Sequence, residues 1–230
     1  MDNQPPTITC PANIPVNNDA GLCSAVVNYT APAGLDNCPG QTTMQTAGLA
    51  SGAAFPVGVT TNTFVVTAAN NQTTSCSFTV TVTDNQPPTI TCPTGSPLTR
   101  NTDAGVCTYA VQGTEFAPTA FDDNCPGATI SNSFNNSATL ANAVLPTGST
   151  TITWTVTDGS TQTTCQITVE VTDNQPPTIT CPTGSPIARN ADPNSCQYTV
   201  QGAEFNPTAS GDNCPGATIT NDFNNSATLA

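Results

Sequence analysis

An eleven-residue segment recurs along this chain and limits what the chain can fold into. Thr-Asp-Asn-Gln-Pro-Pro-Thr-Ile-Thr-Cys-Pro stands in full at residues 83–93 and 172–182, and its last ten residues stand at 2–11. Adjacent prolines fix φ, remove backbone donors and bias the preceding residue towards extended structure, so the segment cannot continue a helix. We expect a stiff joint that leads directly into a β-strand.

The joints divide the chain into three repeats, with predicted boundaries at 1–83, 84–172 and 173–230. Residues 84–141 and 173–230 align without a gap and are identical at 44 of 58 positions. The third repeat has no counterpart of residues 142–172 in the second. We therefore expect these residues to be part of a longer array; strands donated by a neighbouring chain are the alternative.

Short runs that alternate between apolar residues and threonine predict β-strands. In the second repeat, Ile152–Thr157 and Ile167–Thr172 flank the turn signal at 158–160 and predict a hairpin, which in the first repeat turns at 70–71. No stretch has a helical period. Further strands are expected at Thr7–Cys10, Cys23–Thr30, Thr89–Cys92, Cys107–Gln112 and Cys196–Gln201. Many short strands with frequent turns predict an all-β fold of tandem immunoglobulin-like antiparallel β-sandwiches, stapled by disulfides.

Eleven cysteines compensate for scarce aromatic residues, because small domains with thin cores need cross-links. The closest cysteine spacing is too long for a zinc thiolate site, and the chain has no histidine. Four cysteines in a repeat allow three pairings. Strand parity points Cys92 and Cys165 inward and favours bonding of the first cysteine to the fourth. The favoured pairs are Cys10–Cys76, Cys92–Cys165, Cys23–Cys38, Cys107–Cys125 and Cys196–Cys214; Cys181 is expected to lack a partner, because the partner would fall in the segment that the third repeat does not have.

The charge balance excludes several classes of partner. Two arginines face fifteen acidic residues, for a net charge of −13. Nucleic acid and anionic membrane surfaces both require basic residues, so neither is an expected partner. No apolar run is long enough to insert this segment into a membrane. Since the cysteines imply an oxidising compartment, we expect an extracellular or cell-surface location, with the export signal outside these residues.

Several motifs together resemble one known family. They are the joint, the Asp-Asn-Cys loops at 36–38, 123–125 and 212–214, the segment 55–58 and the strand 76–82. This combination resembles the hyalin repeat, an immunoglobulin-like extracellular module associated with adhesion and matrix. The resemblance implies that the middle two cysteines appear or vanish together, which supports the pairing above, and it carries no catalytic residues. Trp154 stands where the first repeat has Phe64.

Catalysis lacks its usual groups here, and calcium is the candidate cofactor. With no histidine and no lysine, a serine or threonine nucleophile has no evident base, so we expect no enzyme activity. Hard cations prefer carboxylate oxygens, and aspartates recur at the joints and beside the Asn-Cys loops. The predicted calcium ligands are Asp84, Asp123, Asp173 and Asp212. The alternative is that these aspartates cap turns.

These features predict a structural repeat module of an extracellular adhesin stalk or surface fibre. The alternative is an adhesive module that binds glycan or protein through the loops at the sandwich ends, with calcium as an option. The expected partners are further repeats of the same long chain, other copies in a fibre, and an unknown surface receptor or glycan.

Overall fold

A computed structural model describes residues 3–228, and within this range the chain forms strands and no helix. The predicted all-β fold is therefore confirmed. The strands are β1 (Ile14–Asn17), β2 (Ser24–Val26), β3 (Thr42–Ala47), β4 (Ala54–Pro56), β5 (Gly58–Thr67), β6 (Thr73–Thr83), β7 (Thr89–Thr91), β8 (Leu98–Asn101), β9 (Thr108–Ala110), β10 (Ala120–Asp122), β11 (Thr129–Asn132), β12 (Val144–Pro146), β13 (Gly148–Thr157), β14 (Gln162–Thr172), β15 (Thr178–Thr180) and β16 (Ala209–Gly211).

The first repeat contains a four-stranded sheet and a two-stranded sheet. The larger sheet has the order β1-β6-β5-β3, and the smaller pairs β2 with β4. The central hairpin is built from the threonine-rich strands β5 and β6, whose alternation buries Phe78, Val80 and Val82 and leaves the threonines between them partly exposed. The core lies on this face. Its buried members are Ala25, Val27, Phe55, Phe64, Phe78, Val80 and Val82.

The second repeat has the corresponding large sheet, in the order β11-β13-β14-β8, with β9–β12 and β7–β10 as two-stranded pairs. The predicted hairpin is present, and Gly159 at its turn has a φ of 94°, which suits glycine. Trp154 is fully buried, as expected for a residue at the position of Phe64. In both large sheets, the strand that comes first along the chain pairs in parallel with the strand that comes last along the chain: β1 with β6, and β8 with β14.

Two predicted strands are absent from the residues described. Cys196–Gln201 is not a strand, and Thr7–Cys10 contributes only a single bridge between Thr7 and Leu35. A strand exists only where its backbone groups find partners. In the second repeat β9 pairs with β12, and these 230 residues contain no counterpart of β12 in the third repeat.

The chain forms two compact units. Among the described residues, the first comprises those up to Cys92, Pro118–Ala138 and Trp154–Cys165; the second comprises Pro93–Ala117, Thr139–Thr153 and those from Gln166 onward. The first unit contains the joint that begins at Asp84, and the second contains the joint that begins at Asp173. The repeat boundaries at 83 and 172 stay a prediction. No helix that could span a membrane occurs among the residues described.

Candidate functional site

Four disulfides lie within the described chain, and they are of two kinds. Two link the first and fourth cysteines of one repeat: Cys10–Cys76 and Cys92–Cys165, with Cα–Cα distances of 5.6 and 5.9 Å. These are the two outer pairs that strand parity favours. The other two link the second cysteine of one repeat to the third cysteine of the next: Cys23–Cys125 and Cys107–Cys214, with Cα–Cα distances of 4.8 and 4.7 Å.

The predicted middle pairs are wrong. The structure has none of Cys23–Cys38, Cys107–Cys125 and Cys196–Cys214. The physical reason is the position of the Asp-Asn-Cys loop, which lies beside the joint that enters its own repeat. Its cysteine therefore meets the preceding repeat rather than the start of its own. Cys181 and Cys196 are exposed thiols.

Each cross-joint disulfide begins on a tight turn built around an aspartate four residues before the cysteine. In the Asp19 turn (residues 19–23), Asp19 N–H donates to Ser24 C=O at 2.8 Å and Leu22 N–H donates to Asp19 C=O at 3.0 Å. Asp19 Oδ2 accepts from Val26 N–H at 2.8 Å. These bonds present the Leu22 carbonyl and the Cys23 side chain towards the joint.

The Asp103 turn (residues 103–107) repeats this arrangement in the second unit. Asp103 N–H donates to Thr108 C=O at 2.8 Å, and Val106 N–H donates to Asp103 C=O at 3.2 Å. Asp103 Oδ2 accepts from Ala110 N–H at 2.8 Å. The same local sequence pattern therefore builds the same platform for Cys107.

The glutamine of each joint clamps the turn with both ends of its amide. Gln86 Nε2 donates to Asp19 C=O at 3.0 Å, and Gln86 Oε1 accepts from Gly21 N–H at 2.7 Å. Gln175 makes the same pair of bonds, to Asp103 C=O at 2.9 Å and from Gly105 N–H at 2.8 Å. Such a two-point bond fixes direction as well as distance.

The asparagine of the Asp-Asn-Cys loop ties three elements together. Asn124 Nδ2 donates to Leu22 C=O at 3.1 Å and lies 3.4 Å from Asp84 Oδ1. In the second unit, Asn213 Nδ2 donates to Val106 C=O at 3.0 Å and to Asp173 Oδ1 at 3.1 Å. One amide thus connects the turn, the loop and the joint carboxylate.

Hydrogen bonds reach both joint carboxylates. The pKa of Asp173 lies below its usual value because Gln175 N–H donates to it, with a further contribution from the Asn213 amide. Asp84 is 7% exposed and accepts from Gln86 N–H at 3.2 Å. A buried carboxylate requires such donors, since burial without them disfavours the charged form.

The predicted calcium ligands are only partly brought together. Ligand atoms of Asp84, Asp123 and Cys125 lie within 4.8 Å of one another, and Asp123 Oδ1 is buried with no hydrogen-bond partner. The Cys125 sulfur is committed to a disulfide, so it supplies no thiolate. Calcium takes six to eight oxygens, and two carboxylates are a partial fit. Asp212 caps its own loop, accepting from Asn213 N–H.

A separate cluster engages each arginine of the chain. Arg100 lies 2.6 Å from Glu115 Oε2, while Tyr109 O–H donates to Glu115 Oε1 at 2.6 Å. The guanidinium also lies 4.9 Å from the ring centre of Phe116. The third repeat has the same cluster in Arg189, Glu204, Tyr198 and Phe205. These groups satisfy one another and so brace the fold.

Sequence reasoning missed the glutamine clamp, the asparagine tie and the aspartate turns. A signal for all three exists in the repetition itself. The glutamine recurs as Gln4, Gln86 and Gln175, and an aspartate stands four residues before each second cysteine, at Asp19, Asp103 and Asp192. Residues that recur at fixed spacing across diverging copies point to shared geometry.

Comparisons with known proteins find relatives of this chain by sequence. A family model described as HYR domain matches residues 1–82 and 83–171. Hyalin of Strongylocentrotus purpuratus is 31% identical over 211 residues, covering 89% of this chain and 17% of that protein. Hyalin of Lytechinus variegatus is 33% identical over 188 residues, covering 79% of this chain and 34% of that protein. The chain therefore spans about a sixth of the first relative and about a third of the second.

Among solved structures, extracellular cadherin domains 1–5 of protocadherin gamma B2 share 10% identity with a TM-score of 0.37 and cover 78% of this chain and 41% of theirs. The matched family model extends across most of the sequence, and the resemblance inferred from the joint and the Asp-Asn-Cys loops is confirmed. The chain belongs to the HYR domain family.

Proposed function

We propose that this chain is a structural repeat module of an extracellular adhesin stalk or cell-surface fibre. The observation that carries the proposal is the disulfide across each joint, supported by the glutamine clamp and the asparagine tie. Its expected partners are further repeats of the same chain and other copies in a fibre. A protein under tension benefits from such bonds, because unfolding then releases little length.

The four disulfides set a short covalent path between the chain ends. Through Cys107–Cys214, together with either Cys10–Cys76 or Cys23–Cys125, that path is equivalent to about 58 residues. At roughly 3.5 Å per extended residue its limit is about 200 Å, against about 800 Å for the reduced chain. Extension under force therefore reports the cross-joint connectivity directly.

Single-molecule stretching of the whole chain tests this role. The oxidised protein should stop lengthening near 200 Å. Replacing Cys107 and Cys214 together by serine should add about 120 Å, since the path then lengthens by about 34 residues. The matched double variant of Cys23 and Cys125 should leave the limit unchanged, because the path through Cys10–Cys76 is equally long. A maximum extension that is the same in the Cys107/Cys214 variant as in the natural chain would contradict the proposed structural role.

The rival function is ligand binding by loops at the sandwich ends. A glycan array probed with the whole oxidised chain distinguishes the two. The structural proposal expects no selective binding above that of the reduced chain. Selective binding that disappears when one loop is exchanged between repeats would replace the stalk by an adhesive module.

A calcium-dependent joint is a second candidate, favoured by the unpartnered Asp123 Oδ1 beside Asp84. If calcium binds there, millimolar calcium should raise the melting temperature of the chain and a chelator should reverse the rise. Asp123→Asn, which keeps the size of the side chain and removes its charge, should abolish the response. An identical melt with calcium and with chelator would refute this candidate.

A further inference from the structure

A third aspartate turn lies in the third repeat, and its cysteine is not bonded. In this Asp192 turn (residues 192–196), Asp192 N–H donates to Gln197 C=O at 2.8 Å and Ser195 N–H donates to Asp192 C=O at 3.0 Å. Asp192 Oδ2 accepts from Thr199 N–H at 2.9 Å. The three bonds correspond one for one to those of the Asp19 and Asp103 turns. Cys196 at the end of the turn is an exposed thiol.

The backbone of the third turn also follows the other two at its tightest point. Gly21 and Gly105 have φ of 74° and 76°, and the corresponding Asn194 has φ of 63°. Asparagine is among the few residues that adopt this left-handed conformation readily. Asparagine at this position therefore preserves the direction of the N–H that, in the other two turns, donates to the amide oxygen of the joint glutamine.

We propose that the Asp192 turn is the binding site for the N-terminal half of another HYR repeat, whose Asp-Asn-Cys loop bonds to Cys196. The two corresponding turns both carry this occupant: a glutamine amide on the turn, an asparagine amide on the carbonyl before the cysteine, and a disulfide. In the third turn the matching groups are the Asn194 N–H, the Asp192 and Ser195 carbonyls and the Cys196 thiol. The described residues place no disulfide partner on that thiol.

The covalent step balances with a disulfide oxidant such as oxidised glutathione. The thiols of Cys196 and of the incoming loop each lose a proton and together lose two electrons, and one S–S bond forms between them. Glutathione disulfide takes up the electrons and protons and is released as two glutathione thiols. Clamping by the glutamine and the asparagine holds the two sulfurs together, which raises their effective concentration.

The first test adds the proposed partner loop to the same chain. The whole chain is followed, after Ala230, by a second copy of residues 142–230, which supplies a joint and a fresh Asp-Asn-Cys loop. After oxidation in glutathione buffer, non-reducing peptide mapping should recover Cys196 bonded to that loop in the same chain. Alkylation of Cys196 should fall at least tenfold relative to the 230-residue chain. Replacing the cysteine of the copied loop by serine should restore alkylation.

A second measurement does not depend on folding of the added segment. The 230-residue chain is equilibrated with the peptide Asp-Asn-Cys-Pro-Gly or Asp-Ala-Cys-Pro-Gly in glutathione buffer. Cys196 should favour the asparagine peptide about fivefold, the size expected of one hydrogen bond. The exposed thiol of Cys181 serves as the internal control and should show no preference. Equal preference at both cysteines, or Cys196 bonded to another partner in the longer chain, overturns the proposal.

The inference rests on the proposed role as a link in an array, but the two fail separately. Peptide mapping reads the bonding of Cys196 alone, whereas stretching reads the path through Cys107–Cys214. A chain that bears load while Cys196 stays unbonded would refute the further inference and keep the proposed function. Bonds from Cys196 to the loop of a different chain, rather than to the copied loop, would also refute it, since both observed occupants follow along the same chain.

Discussion

Side-chain amides fix the orientation of the groups at each joint, because one amide can both donate and accept hydrogen bonds. Gln86 both donates and accepts across the joint, and Asn124 connects a carbonyl to a carboxylate. Neither amide titrates, so their bonds to the backbone of the aspartate turns do not depend on a protonation state. Residues of this kind fix orientation, while the neighbouring disulfide fixes distance.

Acid should weaken the bracing cluster around Glu115. Burial raises the pKa of Glu115, but hydrogen bonds from Tyr109, Gln112 N–H and Arg100 outweigh it, so the pKa is lowered overall. In the third repeat, Gln201 N–H, Tyr198 and Arg189 lower the pKa of Glu204 to about 2. A group with a lowered folded pKa stabilises above its unfolded pKa of about 4.3, and the stabilisation is lost as pH falls through the folded value.

Melting curves from pH 7 to pH 2 check this expectation. Glu115→Gln should lower stability by about 1 kcal/mol at pH 7, since it weakens the pair with Arg100. The difference from the natural chain should shrink below about pH 4.3. Glu170→Gln removes one acidic charge on a strand and serves as the control for net charge; it should cost less. A Glu115→Gln deficit that is constant down to pH 2 would contradict the assignment.

The residue scale also explains why the joint could be predicted only in part. Parity along a strand is a local property, so Cys92 and Cys165 could be placed on the inner face from sequence. The partner of Cys23 depends on which end of the repeat the Asp-Asn-Cys loop occupies, and no local pattern encodes that. The resemblance was used to support a pair within one repeat, since the middle cysteines appear or vanish together. That pattern does not distinguish the two pairings, because it is equally expected when the bonded cysteines belong to neighbouring repeats.

At the scale of elements, each large sheet depends on a strand that the sequence pattern hides. β1 carries Pro15 and β8 follows Pro97, and both strands are short and irregular in sequence. Each nevertheless closes its sheet by running parallel to the last strand. Edge strands tolerate proline because one side of the strand needs no donors. The threonine-rich hairpins were predictable because runs such as Ile152–Thr157 and Ile167–Thr172 alternate strictly over six residues and flank a turn signal.

At Gly34 the chain lies so close to strand β5 that there is no room for a side chain. A Cβ there would lie 2.2 Å from Val66 Cγ2, and Val66 is fully buried in β5. Gly34→Ala should therefore destabilise the first repeat by about 1–3 kcal/mol, the usual cost of overpacking. The measurement is chemical denaturation of the oxidised chain.

Gly211 provides the matched control, because a Cβ there meets nothing within 4 Å. Gly211→Ala should change stability by no more than a few tenths of a kcal/mol. A Gly34→Ala chain as stable as the natural one would show that β5 can move away from this segment.

At the scale of the whole molecule, the structural unit that the sequence repeats includes the joint as well as the sandwich. Aspartate turn, joint glutamine, loop asparagine and two cysteines recur together, and each set is shared between consecutive repeats. Each bond across a joint is expected to add roughly 2–4 kcal/mol, on a chain-entropy model. In an array built this way, the disulfides across the joints still link consecutive repeats when one sandwich unfolds.

Non-reducing peptide mapping of the oxidised chain tests that central claim most directly. The expected linked peptides contain Cys23 with Cys125 and Cys107 with Cys214, together with the two pairs inside repeats. The digestion needs acidic conditions, which suppress thiolate attack and so preserve the native bonds. Recovery of Cys23 with Cys38 and of Cys107 with Cys125 as the main species would contradict the account, because the repeats would then be joined by the backbone alone.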